Sequence, residues 1–379
     1  MIYLDNSATT PTLPAAADRA RQYMIEEFFN PAAAYSPAVR EERAVNAARK
    51  TIAGAINATG DEIIFTSGGT ESNNMAIFGA LKAMRGCGRI ITGATEHPSV
   101  YEPFKGLTQQ YDVQEAPVDH TGAVDLARLE EMITADTRLV SIMQVNNEVG
   151  AINDAEAIRR ILRKKAPDAL LHMDGVQGFL KVPFDAKHCD FYSISGHKFH
   201  APKGVGALYV RNGVKFAGGQ TGGGQERNLR SGTTNTPGIM GMEAAVKDYL
   251  DNLSVYRDNM RKCKLHLAQL LKELPDVFVN GPEPEKGAPH ILNASFMGVR
   301  GEVLLHALEE KEIYVSTGSA CSAHKKGKNR ILNAMGITGE RQEGAIRFSF
   351  CPLNTLEEME KVTEVIASTI SMLRRFKRR

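Results

Sequence analysis

Between roughly residues 38 and 250, short apolar runs rich in β-formers alternate with stretches patterned for helix. This constrains the chain more than any other feature, because strands joined through helices lie parallel in one sheet with the helices packed over its faces. Strands are expected at 62–66, 89–92, 138–143, 169–173, 191–194 and 206–210. Apolar residues recur at three- and four-residue spacing over 39–56, 72–84 and 154–165, and again from about 239 to 274, which predicts helices there. Beyond Leu274-Pro275 the order changes to strands at 290–296, 313–316 and 345–350 with helices at 301–311 and 356–374, the pattern of a smaller α+β domain. The length, 379 residues, suits two or three domains. The first dozen residues are too few for a domain and are expected to pack across the other two.

The chain is 42% hydrophobic and 24% charged, so it can bury a large core. Its net charge of +2 is too small for the whole surface to act as an electrostatic binder of nucleic acid or membrane. No apolar run approaches the roughly 18 residues of a membrane span, and Met1-Ile2-Tyr3-Leu4-Asp5-Asn6 lacks the regions of a signal peptide, so a cytoplasmic protein is expected. The five cysteines (Cys87, Cys189, Cys263, Cys321 and Cys351) include no CxxC and no zinc spacing with histidine. Neither a disulfide framework nor a metal site is predicted.

Ligands of open α/β sheets bind beyond the carboxyl ends of the strands, and unusual residues cluster there. Ser67-Gly68-Gly69-Thr70-Glu71-Ser72-Asn73-Asn74 follows the first strand and opens a helix. Free amide groups at such a start suit a phosphate, although a plain helix cap uses the same residues. It is neither GxGxxG nor GxxxxGK[ST]. Asp174 ends one strand, with Gln177 just after it, and Ser195-Gly196-His197-Lys198 ends a neighbouring one. A carboxylate and a lysine so placed match the needs of pyridoxal phosphate: the lysine forms a Schiff base and the carboxylate keeps the pyridine nitrogen protonated. His97, in Thr95-Glu96-His97-Pro98, opens the next helix. It suits either a cap or an imidazole lying against a planar ring and shuttling protons.

Tyr3-Leu4-Asp5-Asn6-Ser7-Ala8-Thr9-Thr10-Pro11, the 66–74 motif, Thr95-Glu96-His97, Asn146-Asn147-Glu148-Val149-Gly150, Ser195-Gly196-His197-Lys198, 222–233 and Ser319-Ala320-Cys321 occur in the order seen in cysteine desulfurases. The chain resembles the nitrogen-fixation and iron–sulfur-assembly branch of that family, within the fold-type I, class V aminotransferase-like enzymes. The resemblance covers nearly the whole chain. It implies a large pyridoxal-phosphate domain over 13–250 with a mainly parallel seven-stranded sheet. A smaller α+β domain would comprise 1–12 and 251–379 and carry Cys321.

By that resemblance, Lys198 holds the cofactor, Asp174 pairs with the pyridine nitrogen, Gln177 reaches the ring hydroxyl and His97 stacks on the ring. Gly69, Thr70, Ser195 and His197 hold the phosphate, joined by Thr233 from a second subunit, which implies a homodimer. Asn147 and Arg347 receive the substrate carboxylate, a task suited to the planar guanidinium fork. Cys321, flanked by the small residues of Ser319-Ala320-Cys321-Ser322-Ala323, reads as an accessible thiol. The implied reaction converts L-cysteine to L-alanine, with Lys198 as base, and leaves a persulfide on Cys321 for an acceptor in iron–sulfur assembly or tRNA thiolation.

Two departures stand out. Asn30-Pro31-Ala32-Ala33-Ala34-Tyr35 places Tyr35 where the family usually has a histidine, and His324-Lys325-Lys326-Gly327-Lys328-Asn329-Arg330 is unusually basic. The latter reads either as a solvated loop or as a surface that steers an acidic acceptor. A selenocysteine lyase or a class V aminotransferase shares the cofactor chemistry. The basic end Arg374-Arg375-Phe376-Lys377-Arg378-Arg379 raises a non-enzymatic alternative, an RNA-binding or scaffold protein. Direct nucleic-acid binding is not expected, because Lys198, Asp174 and Cys321 together argue for an enzyme.

Overall fold

The computed structural model describes residues 1–317 and 329–377. Its strands, in chain order, are β1 (Ile2–Tyr3), β2 (Ile63–Thr66), β3 (Arg89–Gly93), β4 (Asp112–Ala116), β5 (Thr137–Met143), β6 (Leu170–Asp174), β7 (Phe191–Ser195), β8 (Gly206–Val210), β9 (Val277–Asn280), β10 (Ile291–Phe296), β11 (Ile313–Tyr314) and β12 (Ala345–Ser349). Seven of them form one sheet in the order β2-β8-β7-β6-β5-β3-β4. β8 runs antiparallel to both β2 and β7, and the remaining pairings are parallel. The α/β expectation and the mainly parallel seven-stranded sheet hold.

The predicted strands up to β8 agree with the structure to within a residue at either end. β4 was not predicted, because Asp112-Val113-Gln114-Glu115-Ala116 carries one β-branched residue and lies at the sheet edge, where little apolar patterning is needed. The continuous helical spacing from 239 to 274 is two helices, Thr236–Asp251 and Leu253–Lys272, with Asn252 between them. The Asn252 side chain donates to the Asp248 carbonyl (2.9 Å) and satisfies the end of the first helix, a local competition that apolar periodicity does not register.

Two large hydrophobic clusters account for most of the core. The first gathers the central strands with the helices over one face of the sheet, including Ile142, Leu171, Met173, Ile194 and Tyr249. The second is built from helix Leu253–Lys272, the antiparallel sheet β12-β10-β9 and the terminal helix Leu356–Lys377. The N-terminal segment joins them: β1 pairs with β11, Asp5 bridges to Ser349, and Thr10 then donates from its backbone N–H to the carbonyl of His197. That path carries residues 7–9 across the carboxyl ends of β6 and β7.

Candidate active site

A cleft of about 810 Å³ opens at those strand ends. At one end lies the start of helix Gly69–Ala83, whose first-turn amides have no intrahelical acceptor. Gly69 is required there, since a Cβ at this position would lie 2.5 Å from Cγ2 of Val176 and close the space in front of the helix. Thr70, Ser195 and His197 line the same end. His197 Nδ1 lies 3.0 Å from Thr9 Oγ1, and burial, with Lys198 beside it, pushes the imidazole down to about 4. Hydrogen-bonding groups and free amides at a helix start are the kind of surroundings that suit an anion.

Asp174, the last residue of β6, is buried and held by both oxygens: Asn73 Nδ2 donates to Oδ2 (2.8 Å) and the Val176 N–H to Oδ1 (2.9 Å). Lys198, just past the end of β7, directs Nζ to the carbonyls of Ser7 (2.6 Å) and Ala8 (2.8 Å). Gln177 donates from Nε2 to the Ser7 carbonyl (2.9 Å), which leaves its Oε1 buried without a partner. His97 caps helix Pro98–Gly106, accepting at Nδ1 from the Ser99 N–H (3.2 Å), and its side chain also lines the cleft.

The far end is built from distant parts of the chain. Arg347 on β12 donates from Nη2 to Asp5 Oδ1 (2.6 Å) and from Nη1 to the Asn147 carbonyl (3.0 Å). Its Nε and Asn147 Oδ1 are buried without partners. A surface ion pair, the ordinary fate of such an arginine, is excluded by its 5% exposure. The unfilled Nε–H donor of Arg347 is what a carboxylate bound in the cleft can use.

Of the predicted site residues, Gly69, Thr70, His97, Asn147, Asp174, Gln177, Ser195, His197, Lys198 and Arg347 all line this one cleft. Thr233 does not; it is exposed on the segment leading into helix Thr236–Asp251. Cys321 lies outside the described residues, as do Lys325, Lys326 and Lys328 of the basic segment. Tyr35 is 53% exposed and precedes helix Ser36–Gly54, away from the cleft lining.

Arg330 corrects the reading of the basic segment as uniformly solvated. Its guanidinium donates to the carbonyls of Ala94 and Glu96 and lies 4.1 Å over the Tyr101 ring, so this charge is spent inside the cleft wall. Asn329 beside it donates to Glu148 Oε2 (2.6 Å).

Several participants carried no predicted role. Asn73 and Ser99 link Asp174 to His97, Asp5 pairs with Arg347, and Glu96 and Glu148 line the wall as buried carboxyls. Burial raises Glu96 well above the usual carboxylate range and Glu148 to about 7. Asn73 and Asn74 inside a helix were a usable signal, since asparagine is disfavoured there unless its side chain has another task.

Comparison with known proteins agrees with this geometry. The aminotransferase class-V family matches residues 2–362. The cysteine desulfurase IscS of Methanosarcina thermophila is 39% identical over 377 residues, covering 98% of this chain and 93% of the relative. Among solved structures, a NifS-like protein superposes with a TM-score of 0.91 at 36% identity, covering 98% of this chain and 99% of that one. SspA in complex with cysteine superposes with a TM-score of 0.82 at 30% identity, covering 94% and 100%. With fold, strand-end chemistry and near full-length similarity in agreement, the chain belongs to the class-V aminotransferase family and, within it, to the cysteine desulfurases.

Proposed function

We propose that the cleft holds pyridoxal 5′-phosphate and converts L-cysteine to L-alanine, passing the sulfur to Cys321. One observation carries the reading: Lys198 Nζ and the Asp174 carboxylate line a single cleft between an anion-binding helix start and the Arg347 guanidinium. The donor set fits the cofactor. Gly69, Thr70, Ser195 and His197 would take the phosphate, Asp174 the pyridine N–H, and the free Gln177 Oε1 would accept from the ring hydroxyl. When bound, the cofactor supplies an electron-withdrawing ring that stabilises charge at the substrate's α-carbon.

The protein's part follows from its own groups. Asn73 and the Val176 amide fix the orientation of the Asp174 carboxylate, which would face the pyridine nitrogen. His97 would lie against the ring. Arg347 would take the substrate carboxylate through the guanidinium Nε–H that is left without a partner, with the Asn147 side-chain NH2 as the second donor, which sets the α-carbon's orientation. Lys198 Nζ, the group that would bear the covalent link to the cofactor, would take the Cα proton and later return a proton to the product. The Cys321 thiolate attacks the substrate sulfur, an S–S bond forms as the Cβ–S bond breaks, and the released electron pair leaves with the carbon, which is then protonated. L-cysteine and one thiol thus become L-alanine and one persulfide, with no external oxidant.

The exposed Thr233 is free to complete the phosphate site of a second subunit, which supports a homodimer. The two hydrophobic clusters support a division into 13–250 and 1–12 with 251–379. The persulfide would pass to an acceptor protein in the cytosol. Among the described residues no helix is long and apolar enough to cross a membrane.

The test is L-alanine and protein-bound persulfide formed from L-cysteine by the purified yellow protein and by a Cys321→Ala variant. The variant is expected to keep its cofactor absorbance and lose both products. A wild-type protein that binds the cofactor yet yields neither product would move the assignment to transamination.

A further inference from the structure

We propose that Asn73 and Ser99 are positioning residues that lock His97 as its Nε2–H tautomer, so that the imidazole serves the reaction as a neutral hydrogen-bond donor. The proposal rests on the cleft being the active site and narrows the part His97 can play there.

The hydrogen bonds around His97 have forced directions. The Ser99 backbone N–H lies 3.2 Å from His97 Nδ1, and an amide N–H can only donate, so Nδ1 must present its lone pair. The Ser99 hydroxyl lies 2.8 Å from the same nitrogen. Its own direction is set from the other side. Asn73 Nδ2 lies 2.8 Å from Asp174 Oδ2, and because a carboxylate only accepts, this end of the Asn73 side chain is its NH2 group. The second hydrogen of that NH2 goes to Ser99 Oγ, also at 2.8 Å. Having accepted from Asn73, the hydroxyl turns its single hydrogen to Nδ1.

The run Asp174, Asn73, Ser99, His97 is therefore ordered in one sense, with the carboxylate at the accepting end and Nδ1 receiving two donors. Asn73 is 1% exposed and Ser99 8%, so water does not compete for these groups. The ring's remaining proton sits on Nε2.

Charging the imidazole would put a second proton on Nδ1, facing the Ser99 N–H. The surroundings mostly oppose this too. Burial is the largest effect holding the His97 pKa below the ordinary value, and Lys198 and Arg330 add to it, while Asp174 acts in the opposite sense. Glu96, adjacent in the chain, is raised well above the usual carboxylate range by burial and offers little compensating charge near neutral pH. The N-terminus of helix Pro98–Gly106, which His97 caps, also disfavours a cation. His97 can thus hold a ring or a substrate atom through Nε2–H, whereas donating a full proton would first require the charged form that every one of these contacts except Asp174 resists.

The tautomer can be read without turnover, by long-range ¹H–¹⁵N correlation on the histidine-labelled holoenzyme, with His97 assigned by difference from a His97→Gln protein. The expected spectrum shows a protonated Nε2 and a bare Nδ1 from pH 6 to pH 8. Ser99→Ala removes one donor to Nδ1 and should raise the His97 midpoint by about one pH unit, the worth of one hydrogen bond. Ser99→Thr restores the hydroxyl and the wild-type midpoint. Asn73→Ala should shift the midpoint in the same direction as Ser99→Ala, since nothing then turns the hydroxyl toward Nδ1. A wild-type spectrum with Nδ1 protonated would overturn the proposal, as would a Ser99→Ala protein with an unchanged midpoint. Absence of alanine and persulfide from wild-type turnover would instead count against the desulfurase reading and leave this result intact.

Discussion

Two arginine–carboxylate sites in this molecule use the same groups to opposite ends. At Asp190, after β6 and before β7, both oxygens are saturated: Arg159 and the Leu171 N–H (2.7 Å) donate to Oδ2, and Arg211 donates through Nε (2.7 Å) and Nη2 to Oδ1. At Arg347 the carboxylate of Asp5 takes one N–H and a backbone carbonyl another, and the buried Nε–H is left over. A saturated buried pair holds the sheet together and can do nothing else. An unsaturated one, facing a cleft, bears the cost of an unmade hydrogen bond and keeps the capacity to bind an incoming carboxylate. Completeness of hydrogen bonding separates structural charge from functional charge here better than burial does, since Arg159 and Arg347 are both buried.

The largest effect that tests this contrast is on stability. Asp190→Ala strands the buried Arg159 without a counter-charge and should cost about 3–5 kcal/mol, measured by denaturant unfolding. A loss below about 1 kcal/mol would mean that the saturated pair is not a structural anchor.

Glu148 is an intermediate case, a buried carboxyl with one oxygen held by Asn329 Nδ2. Burial lifts it from 4.5 to about 7, so between those values the folded protein keeps a proton that the unfolded chain has released. Its contribution is fully present below about pH 4.5 and is lost as pH rises through about 7, on the order of 3 kcal/mol in total. Glu148→Gln, which keeps an acceptor for Asn329, should flatten that part of the pH–stability curve. The same slope in both proteins would place the titration elsewhere.

The smallest change is expected at the unsaturated site. Arg347→Lys keeps a positive charge beside Asp5 and loses the fork, so KM for L-cysteine should rise by about tenfold with little change in melting temperature. An equal loss of stability and of substrate affinity would erase the distinction between the two sites.

How much of this was legible beforehand followed the range of the interactions. Asp174, Gln177 and Lys198 could be read because strand ends are visible as short apolar runs and each residue lies within a few positions of one. The same holds for Gly69 and Thr70 at a helix start. Arg347 and Asn147 entered only through family resemblance, since Arg347 meets Asp5 across 342 positions of the chain and the Asn147 carbonyl across 200. Arg330 was misread with its lysine neighbours as surface charge, because charge runs are usually solvated and nothing local marks the Ala94 and Glu96 carbonyls as its acceptors. The break at Asn252 was missed for the reverse reason: a local side-chain cap left the apolar spacing unchanged.

Local patterning by itself determined the α/β class, the positions of the central strands and the chemical character of their ends. These depend on neighbouring residues and on the two periodicities of the backbone. Tertiary structure alone decided that the N-terminal segment crosses the cleft to meet Lys198, that Asp5 faces Arg347, and that Asn73 and Ser99 join Asp174 to His97. Such contacts are set by how separately formed elements pack, and a hydrogen bond between distant residues leaves no periodic mark on either partner.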